Sequence, residues 1–86
     1  MFRHARHEGR PLEVLAAHMA TQGHRMTESR SSLVREVLRI PHDFTEVDVL
    51  RRARQDCIRV SRATVFRTLS IMVEAGLLMQ LHENRG

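Results

Sequence analysis

Residues 61–82 read SRATVFRTLSIMVEAGLLMQLH, and the hydrophobic period changes within them. From Ser61 to about Ala75 the period is helical, because at about 100° per residue the apolar side chains fall into one narrow sector. That sector holds Val65, Leu69, Met72 and Val73. Gly76 then ends the predicted helix as a left-handed cap, and the alternation that follows it predicts a short strand.

Three more helices are predicted before this segment, so the chain is mainly α. Pro11 suits the first turn of one helix, and Thr27 caps a second helix that Pro41 stops. Thr45 caps a third helix, with Asp48 at the capping-box position. Near the carboxyl end of that helix stand Arg51, Arg52 and Arg54, where cations interact favourably with the helix dipole. Four helices followed by a short, incomplete β-hairpin wing are the outline of a winged helix-turn-helix domain.

The two ends of the chain complete this outline. Residues 11–86 are predicted to form the winged-helix domain, and residues 1–10 a disordered basic segment. Residues 83–86 have turn composition, and a lone strand with an unpaired edge is unstable. We therefore expect the partner of the predicted strand to lie outside this chain or to come from a neighbouring chain.

Two side-chain placements follow from the same patterns. Glu36 is predicted to face outward on the second helix, together with Arg30, Arg35 and Arg39 and opposite the apolar stripe that contains Leu33 and Val37. Cys57 is predicted to be a small buried apolar group, since a single cysteine has no partner for a disulfide or a redox pair.

The composition limits the classes of function. The chain has 86 residues and a formal net charge of +4, and all fourteen of its basic residues are arginine. Arginine grips phosphates and guanine edges with a planar fork, although a GC-rich genome would also favour its codons. No apolar run approaches about 18 residues, so we expect a cytoplasmic protein without a membrane partner. An enzyme is not predicted, because the glycines are isolated and no nucleophile elbow or suitably placed carboxylate pair is present.

The outward face of the last predicted helix is the candidate functional element. Opposite its apolar sector lie Ala63, Thr64 and Arg67, with Phe66 at the margin. A helix that enters a major groove needs small residues at close approach, a donor for bases or phosphates, and an apolar contact for thymine methyl groups. Ser61 is a good cap for this helix, and together with the amide groups at the helix start it can bind a phosphate. An ordinary surface helix shares these features, so the alternative is a solvated Arg67 and a Phe66 at the edge of the core.

Four short motifs lie in register along the chain. ATVFRTL at 63–69 is followed by EAGLL at 74–78, RMTxxR stands at 25–30, and TxxDV stands at 45–49. Together they resemble the recognition helix and the starts of the second and third helices in the ferric uptake regulator (Fur) family. This resemblance implies a metal-responsive bacterial transcription factor, a repressor that binds an AT-rich inverted repeat in double-stranded DNA as a homodimer.

The resemblance also implies roles for single residues. Phe66 and Arg67 would approach the bases in the major groove. Arg25 would enter an adjacent minor groove, where narrow AT tracts attract arginine. Phosphates would be held by Ser61, Arg62 and Thr64.

The chain departs from the family pattern at three points. Phe66 stands where the family usually has Tyr, which removes a hydrogen bond, keeps the methyl contact and is expected to relax specificity. Asp43 stands where the family often places a metal-binding His, with His42 just before it, and these two residues are the candidate metal ligands. The family's carboxy-terminal domain, with its further ligands, is not among these 86 residues, so we expect the chain to be the DNA-binding half of a longer protein, the alternative being a degenerate stand-alone form. No cofactor is therefore predicted within this chain, whereas a divalent metal (iron, zinc or manganese) is implied for the full-length protein.

A winged-helix protein–protein docking module without specific DNA binding is the competing interpretation, because fold does not fix function. A docking module would need an exposed apolar patch on the outer side of the last helix, and Ile71 is its candidate centre. DNA binding predicts instead that Arg25, Arg62 and Arg67 converge on one surface.

Overall fold

The computed structural model describes residues 1–82, which form four helices and two short strands. In chain order these are β1 (Phe2–His4), α1 (Pro11–Thr21), α2 (Glu28–Leu38), α3 (Glu46–Gln55), α4 (Arg62–Glu74) and β2 (Leu78–Gln80). The predicted winged helix-turn-helix architecture is confirmed, while the turn predicted at 83–86 lies outside the described residues. Within residues 1–82, no helix is both long and apolar enough to cross a bilayer.

The predicted amino-terminal caps of α2, α3 and α4 are all present. The side-chain oxygen of Thr27 accepts a hydrogen bond from the amide of Arg30 at 3.2 Å. At the start of α3 the capping is reciprocal: the amide of Asp48 donates to Thr45 Oγ1 at 3.3 Å, and the amide of Thr45 donates to the carboxylate of Asp48 at 2.8 Å. Such caps satisfy amide groups that have no acceptor inside the helix, which is why these sequences begin helices where they do.

Two helices end in the same geometry with different residues. After α4, the amide of Leu77 donates to the carbonyl of Met72 at 2.9 Å, and Gly76 lies at φ 81°. After α3, the amide of Ile58 donates to the carbonyl of Ala53 at 2.8 Å, and Cys57 lies at φ 56°. Both are Schellman turns, which favour glycine at the left-handed position. The prediction that Cys57 is buried is wrong, because this turn points its side chain to solvent.

The core draws buried apolar side chains from every helix and from both strands. Its largest fully buried side chains are Leu15, Met19, Leu33, Ile40, Phe44, Leu69, Met72 and Leu77. Glu36 is buried as well, with a side chain only 5% exposed, so the prediction that it faces outward is wrong. The physical reason is that the end of α3 covers this part of α2, which brings Arg52 Nε to 3.3 Å from a carboxylate oxygen of Glu36.

The sheet joins the two ends of the described chain. β1 pairs antiparallel with β2, with Phe2 opposite Gln80, and Phe2 also forms a bridge with Phe44 in the α2–α3 connection. Phe2 is 4% exposed, and its ring stacks on that of Phe44 with 5.8 Å between centroids. Two predictions are therefore wrong: residues 2–4 are not disordered, and the partner of β2 comes from this chain. The burial of Phe2 gives this short strand its place.

Candidate nucleic-acid interface

The exposed face of α4 is the one that the sequence predicts. Val65, Leu69 and Met72 are buried on the inner side. Phe66 is 46% exposed on the outer side, and Arg67 is exposed beside it. The helix thus keeps its apolar stripe in the core and presents a large aromatic ring next to an arginine, which is the arrangement expected for contact with a base and its methyl group.

The first turn of α4 leaves amide groups available. The first intrahelical bond runs from the amide of Val65 to the carbonyl of Ser61 at 3.1 Å. The amide of Thr64 donates to Ser61 Oγ at 3.1 Å, so Ser61 serves as the cap. The amides of Arg62 and Ala63 precede these bonds, and such amides at a helix start attract anions.

A basic groove lies on one side of Phe66. We call it the α3–α4 groove, and its lining residues are Val47, Leu50, Arg51, Arg54, Gln55 and Arg62. A smaller cavity, which Glu46 also lines, shares Val47, Leu50 and Arg62 with this groove and reaches Phe66. The start of α4 and the end of α3 therefore form one continuous surface with three arginines.

A second groove lies on the other side of Phe66. We call it the α1–α4 groove because it lies between α4 and the connection that follows α1, and its lining residues are Gln22, His24, Arg30, Phe66, Arg67, Ser70, Ile71 and Glu74. Arg30 Nε is buried there without a hydrogen-bond partner in residues 1–82. Among the described residues, Glu74 is the one carboxylate that lines the groove; it lies about two helical turns from Phe66 along α4, with its Oε2 3.4 Å from His18 Nε2. The basic end of this groove therefore adjoins Phe66.

The predicted DNA contacts are partly brought together. Arg62 lines a cavity with Phe66 on one side, and Arg67 lines another with Phe66 on the other side. Arg25 is exposed in the α1–α2 connection and directly follows His24, a lining residue of the α1–α4 groove. Ile71, the candidate centre of a docking patch, is half-buried against the core.

The sequence of this chain matches the model of the ferric uptake regulator family over residues 21–86. The chain belongs to this family. Members of the ferric uptake regulator family are metal-responsive transcription regulators that bind DNA, and they are not enzymes. A search of curated proteins and a search of solved structures found no match.

The candidate metal ligands of this Fur-family chain have other partners. Both carboxylate oxygens of Asp43 accept hydrogen bonds from Arg3, at 3.0 and 2.8 Å, and this contact holds the pKa of Asp43 below its ordinary value. His42 Nδ1 lies 2.8 Å from the carbonyl oxygen of Asp43. Residues 1–82 contain no group of three or more side chains suited to a metal ion. The donors at His42 and Asp43 therefore do not fit a metal ion, because the carboxylate is already paired and residues 1–82 supply no third ligand beside them.

The structure adds residues that sequence reasoning did not assign to the interface. Arg51 and Arg54 line the α3–α4 groove, whereas the sequence indicated only a favourable position near the carboxyl end of α3. Arg30 lines the α1–α4 groove, whereas the sequence placed it on the outer face of α2. The i, i+3 spacing of Arg51 and Arg54, just before the candidate helix, is the signal from which their shared face could have been predicted.

Proposed function

We propose that this Fur-family chain binds duplex DNA sequence-specifically by inserting α4 into the major groove. The observation that carries the proposal is the position of Phe66, exposed on α4 between two grooves that are both lined by arginine. The major groove is about 12 Å wide and admits one α-helix, so phosphates of the two strands would flank α4 on its two sides.

The side chains of α4 suit the reading of bases. Arg67 supplies a planar fork that matches guanine or a phosphate, and Phe66 supplies an apolar face for a thymine methyl group. Ala63 is small and exposed, which allows the helix backbone to approach base edges closely. Ser61, Arg62 and Thr64 stand at the first turn, where phosphate contacts would fix the position of the helix. The absence of a hydroxyl on Phe66 is expected to relax specificity at its base.

Arg25 is proposed to enter the minor groove next to the α4 site. It is exposed and follows a residue of the α1–α4 groove, so it stands at the margin of the proposed contact surface. Arginine binds most strongly where AT tracts narrow the minor groove. Replacing Arg25 by Ala should therefore weaken binding most on duplexes with AT-rich flanks, and an equal loss on GC-rich flanks would contradict this role.

The regulator as a whole is proposed to act as a homodimer on an AT-rich inverted repeat. Two copies of the winged helix would occupy half-sites about one helical turn apart, or closer on different faces of the duplex. Repression and a cytoplasmic location are proposed on the same family grounds, because a repressor acts where chromosomal DNA lies. The iron, zinc or manganese of the metal response is proposed to bind outside residues 1–82, because the donor side chains within residues 1–82 do not fit a metal ion.

The test is a selection from random duplexes by this 86-residue chain at low salt, read by sequencing. Enrichment of an AT-rich repeat would support sequence-specific binding and would give the half-site. Binding that shows no enrichment and vanishes as salt rises would contradict it, because only charge would then be recognised.

The docking interpretation keeps one observation in its favour. Val47 is 57% exposed, and it lines the same small cavity as Phe66, so the two form an exposed apolar pair. A partner protein would cover that pair. If the selection fails while Phe66→Ser or Val47→Ser abolishes binding to a protein partner, the docking interpretation replaces DNA binding.

A further inference from the structure

A concentration of positive charge joins the end of α3 to the start of α4. Residues 51–62 hold five arginines and one aspartate, a net charge of +4 that equals the formal charge of the whole chain. We propose that Arg51, Arg54, Arg59 and Arg62 form a clamp for the phosphodiester backbone of one DNA strand. This clamp deepens the proposed function and rests on it, because it would hold the strand that borders the major groove occupied by α4.

Arg52, the fifth arginine of this segment, differs from the other four because it contacts the fold instead of lining the groove. Arg52 turns toward α2, where its Nε lies 3.3 Å from Glu36, and it serves the fold. Within residues 1–82, no carboxylate lies within ion-pair distance of Arg54, Arg59 or Arg62. Like charges held close together without a carboxylate repel one another, so an anionic ligand would relieve this repulsion.

The groove geometry brings the four side chains to one surface. Arg54 lines the α3–α4 groove together with Arg51 and Arg62, and it also lines the adjoining cavity together with Arg59 and Ser61. The left-handed turn at Cys57 reverses the chain between these residues, so the end of α3 and the beginning of α4 face the same space. The available amides at the start of α4 add their partial positive charge there.

Arg51 has one weak contact that a phosphate can displace. Its Nη1 lies 3.8 Å from a carboxylate oxygen of Asp48, and its side chain is 64% exposed. A pair this long and this exposed contributes little to stability. The carboxylate of Asp48 keeps its capping bond to the amide of Thr45 whether or not Arg51 turns away.

A nucleic-acid backbone fits this cluster because the ligand must present several anions in a row. Arg51 and Arg54 are separated by about 4.5 Å along the axis of α3. The phosphates of one DNA strand repeat every 3.4 Å or so along the helix axis, so neighbouring phosphates can reach both arginines. Contacts of this type position a protein on DNA and carry no sequence information.

The experiment compares salt dependence for two matched double variants. Arg51→Gln/Arg54→Gln removes two clamp residues, and Arg35→Gln/Arg39→Gln removes the same charge from α2 and its carboxyl-terminal cap, where both side chains line a different cavity. Affinity is measured by fluorescence anisotropy across a salt series, on the duplex enriched by selection and on a scrambled duplex of the same composition. Circular dichroism of each variant verifies that it is folded.

The clamp predicts that its variant changes the salt dependence of affinity without changing the preference for the selected duplex over the scrambled one. For Arg51→Gln/Arg54→Gln, the slope of log affinity against log salt should become shallower by about 1.8, and affinity should fall by the same factor on both duplexes. The α2 variant should keep the wild-type slope. A wild-type slope in the clamp variant, or an equal change of slope in both variants, would overturn the proposal.

The two duplexes separate this proposal from the proposed function. If the wild-type chain prefers the selected duplex and the clamp variant keeps the wild-type slope, the clamp is wrong and recognition by α4 stands. If the wild-type chain binds both duplexes equally and the clamp variant alone loses slope, the clamp is supported and sequence-specific binding is contradicted.

Discussion

Two groups of arginines in the described part of this protein differ in their partners. On the side that we call the paired side, Arg3, Arg39 and Arg52 lie within ion-pair distance of Asp43 or Glu36. On the side that we call the open side, Arg54, Arg59, Arg62 and Arg67 have no carboxylate within that distance in residues 1–82. Pairs such as Arg3–Asp43 and Arg52–Glu36 join elements that are distant in sequence and support the fold, whereas unpaired arginines contribute no such contact. The open side therefore presents its charge to a ligand.

The largest effect, a loss of unfolding free energy, is expected in β1, the strand that contains Arg3 of the paired side. Phe2→Ala removes a buried ring that stacks on Phe44, and a core Phe→Ala change typically costs about 3–5 kcal/mol of unfolding free energy. Urea unfolding followed by circular dichroism measures this loss. Met79→Ala on β2, where the side chain is 49% exposed, is the control and should cost little. A loss of less than about 1 kcal/mol for Phe2→Ala would show that β1 is dispensable to the fold.

The next effect contrasts one arginine from each side. Arg67→Ala should lower affinity for the selected duplex by about 5- to 150-fold, which corresponds to about 1–3 kcal/mol for a specific contact. The melting temperature should hardly change, because Arg67 is exposed and has no carboxylate partner in residues 1–82. Arg39→Ala, from the paired side, should leave DNA affinity unchanged. A drop of many degrees in the melting temperature of the Arg67 variant would mean that its side chain is structural.

The sequence predicts the helices well because their signals are local. Caps at Thr27, Thr45 and Ser61 and a helical apolar period each need only a few neighbouring residues, and the structure has all three caps. β1 spans three residues, too short for any period to be recognised, and it is stabilised by a contact with Phe44 that no local pattern reveals. Glu36 was misplaced for the same reason, since its burial depends on α3 packing over it.

The candidate site shows the same division between local and distant information. The exposed face with Phe66 and Arg67 follows from the period of α4 alone. The convergence of Arg51 and Arg54 with Arg62 depends on how the chain turns between α3 and α4, and charge summed over long segments conceals it. The occupation of Asp43 by Arg3 depends on β1, so a metal ligand and an ion-pair partner look alike in the sequence.

A smaller effect is expected from pH, which changes the stability contributions of Glu36 and Asp43, the two carboxylates of the paired side, in opposite directions. Burial, followed by a hydrogen bond with Asp56, raises the pKa of Glu36 above its ordinary value of 4.5. The folded protein then binds this proton more tightly than the unfolded chain does. Glu36 therefore contributes stability below pH 4.5 that is lost as pH rises through its folded pKa. The pKa of Asp43 is lowered by Arg3, so its contribution has the opposite sign and is lost as pH falls.

Glu36→Gln isolates this contribution, because glutamine does not titrate. Between pH 4 and pH 8 or so, the unfolding free energy of the wild type should fall relative to that of Glu36→Gln as pH rises. Urea titrations at several pH values measure the difference between the two curves. Parallel curves would mean that the carboxyl group of Glu36 titrates alike in the folded and unfolded protein.

The smallest effect is expected on the open side, at the turn that carries its arginines. Cys57 adopts φ 56°, a left-handed conformation that costs a residue with a Cβ about 1–2 kcal/mol, whereas Gly76 occupies the same position after α4 without that cost. Replacing Cys57 by Gly removes the strain but adds freedom to the unfolded chain, so the net gain in unfolding free energy should be about 0.5–1 kcal/mol.

The reverse substitution, Gly76→Cys, is the matched control and should destabilise the protein, as thermal unfolding of both variants will measure. Little packing is lost with the exposed thiol, so a lower melting temperature for Cys57→Gly would contradict the strain argument. If stability rises and DNA affinity is retained, the left-handed strain at Cys57 is independent of DNA binding, which then depends on the unpaired arginines of the open side.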